Sequence, residues 1–237
     1  MTTPALIAVA HGSADPAAQL TVRALARLVQ YQAPELDVRV AFAAHAEPAL
    51  PGVLAAAGRG AVVVPLLLST GYHASVDIAG AALAAGASMA APLGPGPRLA
   101  DALADRLARA GVPAGTATVL AAAGSADPRA LAAVWRQARL LAARTGAPVL
   151  VGFASAARPT VTEAIDALSG PSGRPVAVAS YLLSPGLFYD RLKRSGARWV
   201  SEPLGCHPAV ASLVIDRFRA AARNADPCGH RHVTRAR

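Results

Sequence analysis

The sequence predicts an α/β fold made of two tandem, similar, doubly wound parallel-sheet domains that arose by internal duplication. Three observations predict it. Gly12-Ser13-Ala14-Asp15-Pro16 recurs letter for letter as Gly124-Ser125-Ala126-Asp127-Pro128. Three further pairs follow in the same order: the stretch from Phe42 to Pro48 with that from Phe153 to Pro159, Leu68-Ser69-Thr70-Gly71 with Leu183-Ser184-Pro185-Gly186, and Leu93-Gly94 with Leu204-Gly205. A single match in an alanine-rich chain carries little, but an ordered set at a near-constant spacing of about 112 residues indicates duplication. Within each half, short apolar runs alternate with helical patterns, the signature of a parallel sheet covered on both faces.

The elements follow in order. Strands fit near 5–10, 38–43, 61–68 and 87–91, each short, apolar and fairly rich in β-branched residues. Residues 16–31 carry Leu20, Leu25, Leu28 and Val29 at helical spacing, and Asp15-Pro16 supplies an N-cap followed by proline at the first helical position. Residues 97–110 place Leu99, Leu103 and Leu107 on one face behind Pro97. The second half repeats this with strands near 117–122, 148–153, 176–182 and 198–201 and helices near 128–146, 159–168, 186–195 and 207–224. Gly111-Val112-Pro113-Ala114-Gly115 reads as the linker, giving domains at 1–113 and 117–224 and a basic tail at 225–237.

Composition narrows the function classes. A chain of 237 residues, 54% hydrophobic, suffices for one or two packed cores. Mean hydropathy is +0.38, yet the longest apolar runs, 61–68 and 148–154, have strand lengths, well short of the roughly 20 residues of a membrane span. The N-terminus enters an apolar strand at once, without a basic n-region, so a cytoplasmic protein is expected. The net charge of +9 comes almost wholly from scattered arginines, and Lys193 is the only lysine. With aromatics at 4% and no basic stripe, nucleic acid is not the expected partner, whereas a polyanionic small molecule fits the charge. No Walker-type loop exists, and the prolines of Gly94-Pro95-Gly96-Pro97 remove the donors that a phosphate cradle needs, so no nucleotide is expected.

Candidate chemistry gathers at the strand ends. In a doubly wound sheet ligands bind beyond the carboxyl ends of the strands, at the point where strand order reverses. His11 follows the first strand directly, and His73 lies just past the third, in Ser69-Thr70-Gly71-Tyr72-His73. With strand order 2-1-3-4 these two strands are neighbours, about 4.8 Å apart, and both imidazoles reach one crevice. The second strand ends at His45-Ala46-Glu47-Pro48 on the other side. A lone loop histidine is usually a surface residue; three on one predicted edge suit a divalent transition metal and a proton acceptor.

These residues resemble a known family, the class II chelatases of tetrapyrrole synthesis known as sirohydrochlorin chelatases. The resemblance rests on His11-Gly12-Ser13, the Glu47-Pro48 turn, the run from Val64 to His73, and Leu93-Gly94-Pro95, and a degenerate second half continues it to about residue 220. It implies a chelatase-like, flavodoxin-like topology and a lyase-type metal chelatase that inserts Fe2+ or Co2+ into sirohydrochlorin, a polycarboxylate macrocycle, for sirohaem or cobalamin synthesis without ATP. It implies His11 and His73 as metal ligands and proton acceptors, and Gly12, Ser13, Ser69 and Tyr72 beside the substrate. Fe2+ is favoured because the chain lacks a long histidine-rich insertion. A monomer and a homodimer both remain open. Family members usually carry an acid two positions after Phe42, where this chain has Ala44; His45 or Glu47 replaces it, or the metal has fewer protein ligands. In the second half the positions matching His11, His73, His45 and Glu47 are Ala123, Phe188, Ala156 and Arg158, so that half holds no equivalent metal site, and Arg158 is a candidate for substrate carboxylates. A non-catalytic metal or tetrapyrrole carrier is the alternative reading. Cys228, His230 and His232 form a further soft-ligand pattern within the tail.

Overall fold

A computed structural model describes residues 3–69 and 72–225, with the side chains of 72–75 and 225 outside that description. The expected tail with Cys228, His230 and His232 therefore lies outside the described residues. Eight strands and eight helices alternate along them. The first half runs β1 (Leu6–Ala10), α1 (Pro16–Gln32), β2 (Val38–Phe42), α2 (Leu50–Ala57), β3 (Val62–Pro65), α3 (Tyr72–Ala84), β4 (Ser88–Met89) and α4 (Pro97–Arg109). The second runs β5 (Thr118–Ala122), α5 (Pro128–Thr145), β6 (Val149–Phe153), α6 (Val161–Ser169), β7 (Ala177–Ser180), α7 (Leu187–Lys193), β8 (Trp199–Val200) and α8 (Pro208–Ala225).

Both sheets are parallel and four-stranded, ordered β2-β1-β3-β4 and β6-β5-β7-β8. This is the two-domain, doubly wound α/β architecture that the repeat predicted. Register is matched between the halves: Ala10 pairs with Phe42 as Ala122 pairs with Phe153. Helices α2 and α3 were not anticipated in the first half. Their alanine- and glycine-rich sequences, LPGVLAAA and YHASVDIAGAALA, lack the polar stripe that makes an amphipathic period visible.

The Asp-Pro motif works as a turn and cap in both halves. Asp15 accepts a hydrogen bond from the Ala17 N–H at 2.8 Å, and Asp127 from the Arg129 N–H at 2.8 Å. Proline at the first helical position has no N–H to leave unsatisfied. Ser13 and Ser125 brace these caps, their hydroxyls accepting from the N–H of Asp15 and Asp127 at 3.1 and 3.0 Å.

Strand alternation sends successive side chains to opposite faces. Ile7 and Val9 of β1 pack outward with Leu50, Leu54, Ile78 and Ala82 of α2 and α3, while Leu6, Ala8 and Ala10 point inward. In β5, Val119 and Ala121 meet Val161 and Ile165 of α6, while Leu120 and Ala122 point inward. The two inner faces share one continuous core with α1, α4, α5 and α8. Helix α4 packs on β7 of the second sheet and α8 on β3 of the first. Each half's last helix thus covers the other half's sheet. Residues 111–116 separate the sheets, but the core does not divide there.

Polar ties cross the same seam. The Tyr181 hydroxyl donates to the Leu68 carbonyl at 2.6 Å, and the buried Gln137 accepts from the Gly96 N–H at 2.8 Å. Among the described residues no helix is long and apolar enough to cross a membrane.

Candidate metal centre

Parallel strands put their carboxyl ends on one edge, and β1, flanked by β2 and β3, is the strand at which the order reverses. His11 is the first residue beyond β1. The connection after β2 runs back beside it: the Ala43 N–H donates to the Ala10 carbonyl at 3.0 Å and the Ala44 N–H to the His11 carbonyl at 2.8 Å. This close approach requires Gly12. It adopts φ +100°, and a Cβ there would overlap the Ala44 carbonyl oxygen. Gly124 has the same φ and would meet Ser155 in the same way, so the same turn occurs in the second half, where Ala123 stands at the position of the histidine.

The next residue, His45, is left-handed at φ +56°, and its counterpart Ala156 is left-handed at φ +55°. A non-glycine residue in this region is uncommon. Its recurrence at an alanine shows that the loop path belongs to the fold and is not imposed by the imidazole. The path brings His45 to His11: the ring centroids are 5.9 Å apart, with the planes at 73°. With metal–nitrogen bonds of about 2.1 Å, two imidazoles on one ion have centroids about 4.5–6.5 Å apart. The observed spacing falls inside that range, and both residues are exposed.

The remaining candidates fall in different places. His73 is the second residue of α3, directly after the β3 connection, and its side chain, with that of Tyr72, lies outside the described residues. Ser69 lines the cleft together with His11. Gly12 and Ser13 line a smaller recess on the other side of His11, of about 140 Å³. One carboxylate oxygen of Glu47 accepts from the Ala49 N–H at 2.7 Å, at the entrance to α2, and the Glu47 carbonyl accepts from Arg23 at 2.5 Å. Arg158 forms an ion pair with Glu163 at the start of α6. Glu163 is held below the usual carboxylate range, first by the Thr160 backbone N–H and then by the Thr160 side chain and Arg158.

Between the halves lies a cleft of about 440 Å³ with His11 on its wall. Its first-half side is Leu66, Leu67, Leu68 and Ser69; the second half adds Ala123, Leu131, Val134, Phe153, Tyr181 and Leu183. The apolar lining suits a flat hydrophobic ring system. None of these second-half residues was identified from the sequence as lining the cleft, because they line a site only once the halves have docked. Tyr181 is 2% exposed, and burial pushes its phenol far above its ordinary value, so it stays a hydrogen-bond donor.

The CbiX family model matches residues 5–110 and, a second time, residues 117–221. The chain belongs to the CbiX family. The double match coincides with the two sheets, and membership agrees with the sirohydrochlorin chelatase resemblance carried by the His11 and His73 motifs. A relative, the sirohydrochlorin ferrochelatase of Bacillus subtilis (strain 168), is 27% identical over 94% of this chain and 93% of its own length. The structure of SirB from Bacillus subtilis with Fe3+ is similar at a TM-score of 0.81 and 25% identity, covering 94% of this chain and 97% of that one. The structure of CbiX described as the terminal enzyme for biosynthesis of sirohaem in denitrifying bacteria gives a TM-score of 0.68 at 27% identity, covering 92% and 99%. Within this CbiX fold, the ends of β1 and β2 are where His11 and His45 meet.

Proposed function

We propose that this protein is a sirohydrochlorin chelatase that inserts a divalent metal into the macrocycle in the cleft between its halves. The carrying observation is the His11–His45 pair, at metal-sharing distance beside an apolar cleft. His11 and His73 are the proposed ligands and proton acceptors. His45 takes the third place that Ala44 leaves without a carboxylate, and Glu47 is a weaker candidate because its carboxylate is engaged at the start of α2. Insertion forms four metal–nitrogen bonds and releases two pyrrolic protons. The imidazoles of the proposed ligands accept those protons and pass them to water. The leucine-lined walls take the faces of the ring while its acid groups remain at the wet rim. No step requires a nucleotide. Fe2+ is the proposed metal, leading to sirohaem, with Co2+ as a second substrate; imidazole donors bind both, so supply and geometry decide between them.

The test is anaerobic incubation of the protein with sirohydrochlorin and Fe2+ or Co2+, singly and in competition, following the absorbance change. Insertion well above the protein-free rate is expected. A rate equal to that control rejects the enzymatic reading.

A second reading, a metal or tetrapyrrole carrier, is favoured by one observation. Ala44 stands where family members carry an acid, so the His11–His45 pair has no carboxylate from that position. His11→Ala separates the two, since a carrier still binds the macrocycle while an enzyme loses turnover.

A further inference from the structure

The half without metal ligands carries a cationic cavity beside the cleft. It measures about 250 Å³ and opens beyond β6, between the loop leading to α6 and the end of α7. Its polar lining is Ser155, Thr160, Thr162, Arg191, Arg194 and Ser195, and none of its lining residues is acidic. The repeat shows how unlike the first half this is. The matching positions are Ala44, Ala49, Pro51, Val76, Ala79 and Gly80, which supply neither charge nor hydroxyl. Polar groups stand in the second half at each place where the first has none.

The local charges do not cancel the two arginines. Glu163 is taken by Arg158 and by the Thr160 N–H, and Asp190 by the Lys193 ammonium at 2.7 Å. Among the described residues Arg191 and Arg194 form no ion pair. One Arg191 N–H donates to the Ala154 carbonyl at 3.1 Å, and the guanidinium lies over the Phe188 ring at 5.7 Å. That contact fixes the group and leaves the rest of its fork for another acceptor. The Ser195 hydroxyl is closed off from solvent without a hydrogen-bond partner among the described residues, an unfavourable state for a polar group that rotation toward an oxygen held in the cavity would relieve. The capping box of Thr160 and Glu163 already occupies the start of α6, so the helix terminus is not the attraction.

The cavity and the cleft are neighbours. Phe153 lines both, and the Ser155 N–H and hydroxyl each donate at 2.9 Å to the carbonyl of Ala123, a residue of the cleft wall. We propose that Arg191, Arg194 and Ser195 form an oxyanion subsite that takes carboxylate arms of the ligand held in the cleft. The identity of that ligand rests on the tetrapyrrole reading; the chemistry of the subsite rests on the arginines. Planar guanidinium forks pair with carboxylates through two parallel hydrogen bonds, which holds an arm in position as well as attracting it. In this arrangement the first half handles the metal and the second orients the acid-bearing rim. A free phosphate would meet the same donors, so the test includes it.

The experiment uses the full chain and the variants Arg194→Ala, Arg191→Ala/Arg194→Ala and Arg191→Lys/Arg194→Lys, with folding checked by circular dichroism. Arg194→Ala breaks no hydrogen bond seen among the described residues and guards against a purely structural loss. Each protein is titrated without metal against sirohydrochlorin, its uncharged octamethyl ester, propane-1,2,3-tricarboxylate and inorganic phosphate. The double alanine variant should bind the octa-acid about tenfold to a hundredfold more weakly, with partial recovery in the lysine variant and no change for the ester. Equal affinity of wild type and double alanine variant for the octa-acid overturns the subsite. So does arginine-dependent binding of phosphate alone, which would make it a site for free inorganic anion. If the wild type binds neither macrocycle, the function proposed above fails, and the tricarboxylate decides separately. Binding of that compound lost with the arginines upholds the subsite, and binding absent or independent of them rejects it.

Discussion

At the scale of single residues, the proposed site depends on a glycine as much as on histidines. Gly12 lets the segment after β2 lie against the segment after β1, and this brings His45 to 5.9 Å from His11. Gly12→Ala forces an alanine into a left-handed φ and into the Ala44 carbonyl, at a cost of about 1–3 kcal/mol. A lowered denaturant midpoint together with weaker Co2+ binding is the expected outcome. If stability falls and Co2+ affinity does not, Gly12 shapes the turn without positioning the histidines. His11→Ala should lower the insertion rate at least about a hundredfold, the ordinary scale of a lost proton acceptor. His45→Ala should act mainly on metal affinity. Measuring kcat and the metal Kd for both variants checks this division, and equal losses of kcat in the two would contradict it. The place of His45 was not legible from the sequence. Strand alternation left its direction open, and a left-handed residue beyond the strand end made that alternation irrelevant.

At the scale of elements, the caps carry stability that is separate from chemistry. Asp127 caps α5 in the half without metal ligands, so Asp127→Ala should lower stability by about 1 kcal/mol with insertion unchanged. Loss of activity in step with stability would show that the two halves share more than a core. At the other end, His207 accepts from the Ala209 N–H at 3.1 Å and contacts Asp105 of α4 through its other nitrogen at 2.9 Å. Asp105 lies below its ordinary value, through the His207 hydrogen bond first and Arg109 next. A depressed carboxylate means that the unfolded chain binds the proton more readily. The contribution is therefore full above the ordinary carboxylate pKa and is lost as pH falls through the lower folded value. Thermal melts of wild type and Asp105→Asn should differ near neutral pH and converge in acid. A gap that widens on acidification has the wrong sign for this linkage. Element boundaries were legible where a cap or a polar stripe marks them, as in α1, α4 and α5. Helix α2 has neither and α3 lacks the polar stripe, and their packing on the outer face of the first sheet identifies them.

At the scale of the whole molecule, the halves are interlocked. With α4 on β7 and α8 on β3, each sheet would expose part of its inner face if the chain were cut at the linker. Residues 1–113 expressed alone should lack a sharp thermal transition, and co-expression with 117–237 should restore one. A cooperative melt of the isolated N-terminal segment would show that its core closes without α8. The proposed division of labour has the same origin. Duplication supplied two equivalent edges, and only the first kept its histidines. The second edge supplies much of the cleft's apolar wall and the arginine cavity behind it.

The sequence alone was enough to predict the repeat and the α/β alternation, and with the doubly wound class it led to the assumed strand order 2-1-3-4 that is observed. These follow from local hydrophobic period, turn chemistry and the symmetry between the halves. It could not yield the exchange of α4 and α8, the residues from both halves that meet in the cleft, or the approach of His45 to His11. Those depend on contacts between segments far apart in the chain, and no local periodicity encodes which face meets which. The arginine cavity lies between these cases. Its residues differ visibly from their partners in the repeat, but their assembly around one space depends on how α7 settles against the loop into α6.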